Sequence, residues 1–218
     1  MPVDDAGERI CATLAAVATL AYDLTVVPRI AVELPLVLPA PEGFDPYRPE
    51  TWPETAGRLE YVQGRLVYMP PCGDDQQQTA ADLAGELMAW RRNHPEFVVG
   101  TNEAGMILGG DVRGADGAVW RRDALGGNTG GFPRVAPVLG VEVAGRDDTV
   151  ALLREKARWY LAHHVAVVWI LIPATRSALV VTDAGETTVP PGARIPPHTS
   201  LPGLEPRLED LFRQVAGG

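Results

Sequence analysis

The sequence predicts an α/β protein with a mixed β-sheet and helices on both of its faces. Residues 138–172 read as apolar strand, amphipathic helix, apolar strand, which implies parallel pairing through a right-handed crossover. "RLEYVQGRLVYMPP", from Arg58, alternates on either side of Gln63-Gly64 and reads as a β-hairpin. Between them, "FVVGTN", "GMILGG" and "GAVWRR" are apolar runs punctuated by glycine and read as short strands.

The elements follow in order. "ICATLAAVATLAY", from Ile10, is an amphipathic or buried helix. "TVVPRIAVELPLVL" alternates well enough for one or two edge strands, with Pro28 and Pro35 barring central pairing. Residues 39–57 are Pro-rich and form an irregular wrap or linker. After the hairpin, "QQQTAADLAGELMAWRRNHP" is a helix with Leu83, Leu87 and Trp90 on one stripe, stopped before Pro95. "GGNTGG" reads as a mobile loop and lacks the Lys-Ser/Thr ending of a phosphate-binding loop. "APVLGVEVA" is a central strand, and "DTVALLREKARWYLAHH" is a helix with Asp147 or Asp148 near its N-cap. "AVVWILIP" is another buried strand. "SALVVTDAG", a strand near Thr187 and the closing "RLEDLFRQV" complete the chain.

A chain of 218 residues is most simply one domain with a real core. Its longest apolar run falls short of the roughly 18 residues a membrane span needs. That run follows Asp4, Asp5 and Glu8, where a secretory signal wants bases, so the expectation is a cytoplasmic protein. Cys11 and Cys72 give neither a disulfide framework nor zinc-ligand spacing. The adjacent His163 and His164 point to different helix faces. A net charge of −9 argues against a protein that coats nucleic acid by bulk electrostatics, and still allows a local basic surface around residues 138–160. The acidity sits in the N-terminal quarter: residues 1–60 carry ten acids and four bases, whereas residues 141–180 carry four acids and five bases. Eighteen of the nineteen basic residues are arginine; the single lysine is Lys156. Lysine is compact and can lose its proton, and arginine does neither. Lys156 is therefore either a chance survivor of a bias toward arginine or a place where arginine would not serve.

Glu142 interrupts the central strand. Val141 and Val143 take one face, and Glu142 shares the other with the small Gly140 and Ala144. Lys156 lies on the apolar stripe of the next helix, with Leu152, Leu153, Trp159 and Tyr160. The two are either a buried salt bridge, a poor device for stability, or a working pair. A second carboxylate comes from "GGDVRGADGAVWRRD", where Asp116, rather than Asp111 or Asp123, precedes the strand "AVW" and can sit at a strand end beside Glu142. Two carboxylates and a lysine over a sheet suit Mg²⁺ and phosphodiester hydrolysis.

Five pieces, in order, resemble the Uma-type restriction endonucleases of bacteria, within the PD-(D/E)xK nuclease superfamily. They are "GRLEYVQGRLVYMPP", "DVRGADGAVWRR", "VLGVEVAGRDD", "REKARWYLAHHVAVVWILIP" and "LPGLEPRLEDLF", spanning about residues 57–212. The resemblance implies a restriction-endonuclease-like fold over residues 57–218, preceded by a helix and Pro-rich extension over 1–56. It implies that Asp116, Glu142 and the Val143 carbonyl hold Mg²⁺ or Mn²⁺. Lys156 would be the superfamily's lysine, and Glu60 would be either an extra acid near the site or an exposed hairpin carboxylate. It further implies DNA as substrate and a homodimer. Arg91, Arg92, Arg121, Arg122, Arg154 and Arg158 are candidate phosphate contacts. The chain departs from the family pattern at Ala115, in place of proline, and at Ala144-Gly145, in place of Leu-Ser. "DDQQQ" (residues 74–78) lacks the family's histidine. The rival expectations are a nuclease-fold module that binds without cleaving, and an interaction protein docking through its acidic N-terminal segment.

Overall fold

Gln63 and Gly64 both adopt positive φ, at 50° and 82°, the twist a two-residue hairpin turn requires. Around them Arg58–Val62 (β2) pairs antiparallel with Arg65–Met69 (β3), and Leu36–Leu38 (β1) adds to the outer edge of β3. The computed structural model describes residues 34–127, 130–146 and 148–215, so the predicted first helix and most of the first edge segment lie outside the described residues. Residues Leu34 to Gly218 form one compact unit. The Pro-rich wrap packs on the sheet through an aromatic chain running Tyr61, Phe44, Trp52, Phe132.

Asp74–Arg91 (α1) buries Leu83, Leu87 and Trp90, as the stripe predicts. The three short strands expected next are instead one hairpin of two long strands, Phe97–Leu108 (β4) and Asp111–Arg121 (β5). Their length is hidden in the sequence by a bulge at Asn102–Glu103. A short helix, Arg122–Leu125 (α2), leads to Leu139–Val143 (β6), every residue of which is buried. Val150–Ala162 (α3) crosses to Val167–Ile172 (β7), which pairs parallel with β6 as expected. The N-cap of α3 is Thr149, whose hydroxyl accepts from Leu152 N, rather than an aspartate. Asp148 instead takes the amide of Gly145. Ser177–Thr182 (β8) and Gly185–Val189 (β9) finish the sheet, and Leu208–Leu211 (α4) packs near α1.

The sheet is nine-stranded and mixed, ordered β1-β3-β2-β5-β6-β7-β8-β9, with β4 on the other edge of β5. One core holds Leu83 and Leu87 of α1, Leu208 and Leu211 of α4, and Val141 and Val143. The other holds Leu153, Ala157 and Tyr160 of α3 with Ala118, Val168 and Ile170. Helices therefore cover both faces. Since β4 occupies one edge of β5, β2 and β6 share the other: β2 reaches it at Val112 and β6 at Gly117–Val119. Between those contacts, at residues 113–116, the sheet forks.

Candidate active site

The fork leaves the backbone of Gly114 without a strand partner on that edge, and side chains take its place. Gly114 N donates to Glu60 Oε1 at 3.1 Å, and Gly114 O accepts from Lys156 Nζ at 2.7 Å. Lys156 reaches the fork because α3 lies across β6 with Leu153, Ala157 and Tyr160 inward, which turns Lys156 toward the sheet as well. Its ammonium contacts Glu142 Oε2 at 2.9 Å and Glu60 Oε1 at 2.7 Å. One turn on, the Tyr160 hydroxyl donates to Glu142 Oε1 at 2.7 Å. Asp116, in mid-strand rather than at a strand end, accepts from Val143 N at 2.7 Å through Oδ2. Glu60, Asp116 and Glu142 are 4%, 6% and 4% exposed, so Glu60 is no surface carboxylate. With Arg58, Arg113 and Lys156 they border a cavity of about 420 Å³.

Electrostatics differ from group to group. Burial, reinforced by Glu103, raises Asp116 to about 6 against the pull of the Val143 amide and Arg58. Burial raises Glu142 to about 7; Lys156 opposes this, while Asp116 and Glu60 add to it. Burial also acts to strip the proton from Lys156, but Glu142 and Glu60 together overcome it and hold the ammonium above its ordinary value. Glu60 is likewise desolvated, yet Lys156 and Arg113 pull it below the usual carboxylate range. Burial and the neighbouring Glu142 push the Tyr160 phenol well up, so it stays a donor. The cluster thus holds a fixed cation, a fixed anion, and two carboxylates whose charge is poorly compensated.

The donor set suits a hard cation. Asp116 and Glu142 carry the oxygens such an ion takes, while Val143 O accepts from Gln76 Nε2 at 3.0 Å. Among the described residues no three His, Cys, Asp or Glu gather to hold a metal. That leaves two carboxylates at most, which matches an ion that keeps several of its waters.

A family model described as "Uma2: Putative restriction endonuclease" matches residues 46–211. The chain belongs to this family. No curated protein matches it. Among solved structures, a chain from Anabaena variabilis ATCC 29413, described as a "putative nuclease belonging to DUF820", superposes with a TM-score of 0.67 at 16% identity, covering 76% of this chain and 95% of that one. At that identity the likeness speaks for the fold. It bears out the nuclease-like α/β architecture that the motifs implied. In this Uma2 chain the fork in the sheet is where the β2–β3 hairpin, β5 and β6 meet.

Other predicted residues lie away from the cluster. Arg121 ends β5, about 17 Å along the strand from Asp116 at roughly 3.3 Å per residue, and Arg122 opens α2. Arg121 pairs with Asp123, and Arg122 donates to the carbonyls of Pro95 and Phe97. Arg154 makes a two-point pair with Glu186, at 2.8 and 2.7 Å. Arg158 is exposed, as is Arg92. Asp111 caps the hairpin turn through Gln63 N. Four contributors were missed: Arg58, Gln76, Glu103 and Arg113. Arg58 was findable, since it precedes Glu60 by two and so shares its face of β2. Gln76 lies in the stretch that lacks the histidine and donates to the Val143 carbonyl.

Proposed function

We propose that this protein is an endonuclease that hydrolyses DNA phosphodiester bonds with Mg²⁺ or Mn²⁺, acting as a homodimer. The observation that carries this is the pair of buried, undercompensated carboxylates Asp116 and Glu142 beside a lysine held as an ammonium. Asp116, Glu142 and the Val143 carbonyl would hold the ion, which when bound polarises the phosphoryl oxygen and acidifies a bound water. The remaining work belongs to side chains. Lys156, kept protonated, orients the nucleophile and steadies negative charge building on the phosphoryl group, rather than taking a proton. Glu60 fixes Lys156 from the far side, and Tyr160 fixes the carboxylate of Glu142. Arg113, held by Glu60, and the exposed Arg146 at the cavity rim are the arginines best placed to meet phosphate.

A second reading, a nuclease-fold module that binds without cleaving, draws support from Gln76 on the Val143 carbonyl and from the internal partners of both Glu142 oxygens. A labelled duplex titrated with Mg²⁺ and Mn²⁺ separates the two. Ion-dependent cleavage that disappears in Asp116→Asn supports the enzyme. Binding without cleavage at any ion concentration, unchanged by Asp116→Asn, supports the module.

A further inference from the structure

A third carboxylate stands beside Asp116. In β4 the register slips between Thr101 and Ala104, where Asn102 and Glu103 adopt φ of 59° and 60°. Two consecutive residues with side chains in the left-handed region are a strained arrangement of the kind that persists at working sites. The bulge turns Glu103 back over β5. Its carboxylate lies so near Gly114 that a Cβ there would come within 3.3 Å of Oε2, which a larger residue would disturb. Arg58 joins this acid to the site: Nη1 is 2.9 Å from Glu103 Oε1 and 3.5 Å from Asp116 Oδ1.

We propose that Arg58 is a built-in second cation, seated between Asp116 and Glu103, so that the site takes one divalent ion and not two; this rests on the metal-dependent reading above. Phosphodiesterases that use two ions hold them about 3.5–4 Å apart. Here Asp116 faces Val143 through Oδ2 and Arg58 through Oδ1. The side an extra ion would need, between Asp116 and Glu103, already holds a guanidinium. Arginine keeps its charge at every working pH, so that seat stays filled. Burial acts against the charge of Arg58, but Glu103 and Asp116 more than offset it. Arg58 is a positioning residue: it neutralises two neighbouring acids and leaves the Glu142 side of Asp116 for the ion.

The test counts Mn²⁺ bound per full-length chain by equilibrium dialysis with spin-resonance detection of free Mn²⁺. The expected counts are one ion for wild type, one for Arg58→Lys, two for Arg58→Met, and one again for Arg58→Met combined with Glu103→Gln. Two ions on wild type, or one on a folded Arg58→Met, overturns the proposal while leaving metal dependence standing. No ion on wild type overturns both. Arg58→Gln, which keeps a hydrogen bond toward Glu103, gives the same two-ion expectation should Arg58→Met fail to fold, and a count of one there overturns the proposal equally.

Discussion

Replacing Glu142 by glutamine keeps shape and hydrogen-bonding capacity but removes a charge the fold tolerates badly. The wild-type carboxyl titrates at about 7 in the folded chain against an ordinary 4.5. A group raised in this way binds its proton in the folded state at pH values where the unfolded chain has released it. Its contribution to stability is therefore present at acid pH and lost as pH rises through about 7. At about 1.4 kcal/mol per unit the full loss is about 3 kcal/mol, most of which falls between pH 5 and pH 8. Asp116 behaves in the same sense, from 3.8 to about 6, but it is present in both proteins and largely cancels in the comparison. Denaturant unfolding in a chelator, at several pH values over that range, measures the difference. Stability of Glu142→Gln relative to wild type should improve by roughly 2–3 kcal/mol from pH 5 to pH 8. Parallel pH profiles would refute the reasoning, because they would mean the buried carboxylate carries no unusual proton affinity.

Lys156→Arg keeps the charge but forces a wide fork between Glu60 and Glu142; single-turnover cleavage should slow by roughly 10²-fold while Mn²⁺ affinity changes little, and an unchanged rate would remove Lys156 from the chemistry. Arg146→Ala should lower the salt dependence of DNA binding by about one unit of slope, whereas Arg154→Ala, already committed to Glu186, should leave it unchanged. The reverse order in fluorescence titrations would relocate the DNA path. Deleting residues 1–33 should leave cooperative unfolding and Mn²⁺ binding intact, because Leu34 onward forms its own compact unit. A folded truncation that no longer binds Mn²⁺ would assign those residues to the site.

The Glu142–Lys156 contact was legible because each charge breaks a strong apolar pattern, and strand and helix periodicity fix which way it points. The hairpin, the parallel β6–β7 pair and the two-faced core were legible for the same reason. The Arg58–Glu103 contact was not. It depends on a bulge inside a stretch that, without knowledge of pairing, reads as separate short strands; the bulge carries no glycine to announce it. Nor does a sequence show that β2 and β6 share one edge of β5, which is what frees Gly114 to receive Glu60 and Lys156. The arginines named from their chain position do not line the cavity, since local spacing does not tell which way a surface cation points or whether it already has a partner.

The most direct test of metal-dependent endonuclease action is conversion of covalently closed circular DNA. Wild type and Glu142→Gln, purified in parallel, are incubated with supercoiled plasmid in Mg²⁺, in Mn²⁺ and in chelator, and the topological forms are resolved over time. The expected result is nicked and then linear DNA from wild type with either ion, none in chelator, and none from the variant. Plasmid that stays supercoiled with wild type under both ions, or equal cleavage by Glu142→Gln, would contradict the assignment of this site to phosphodiester hydrolysis.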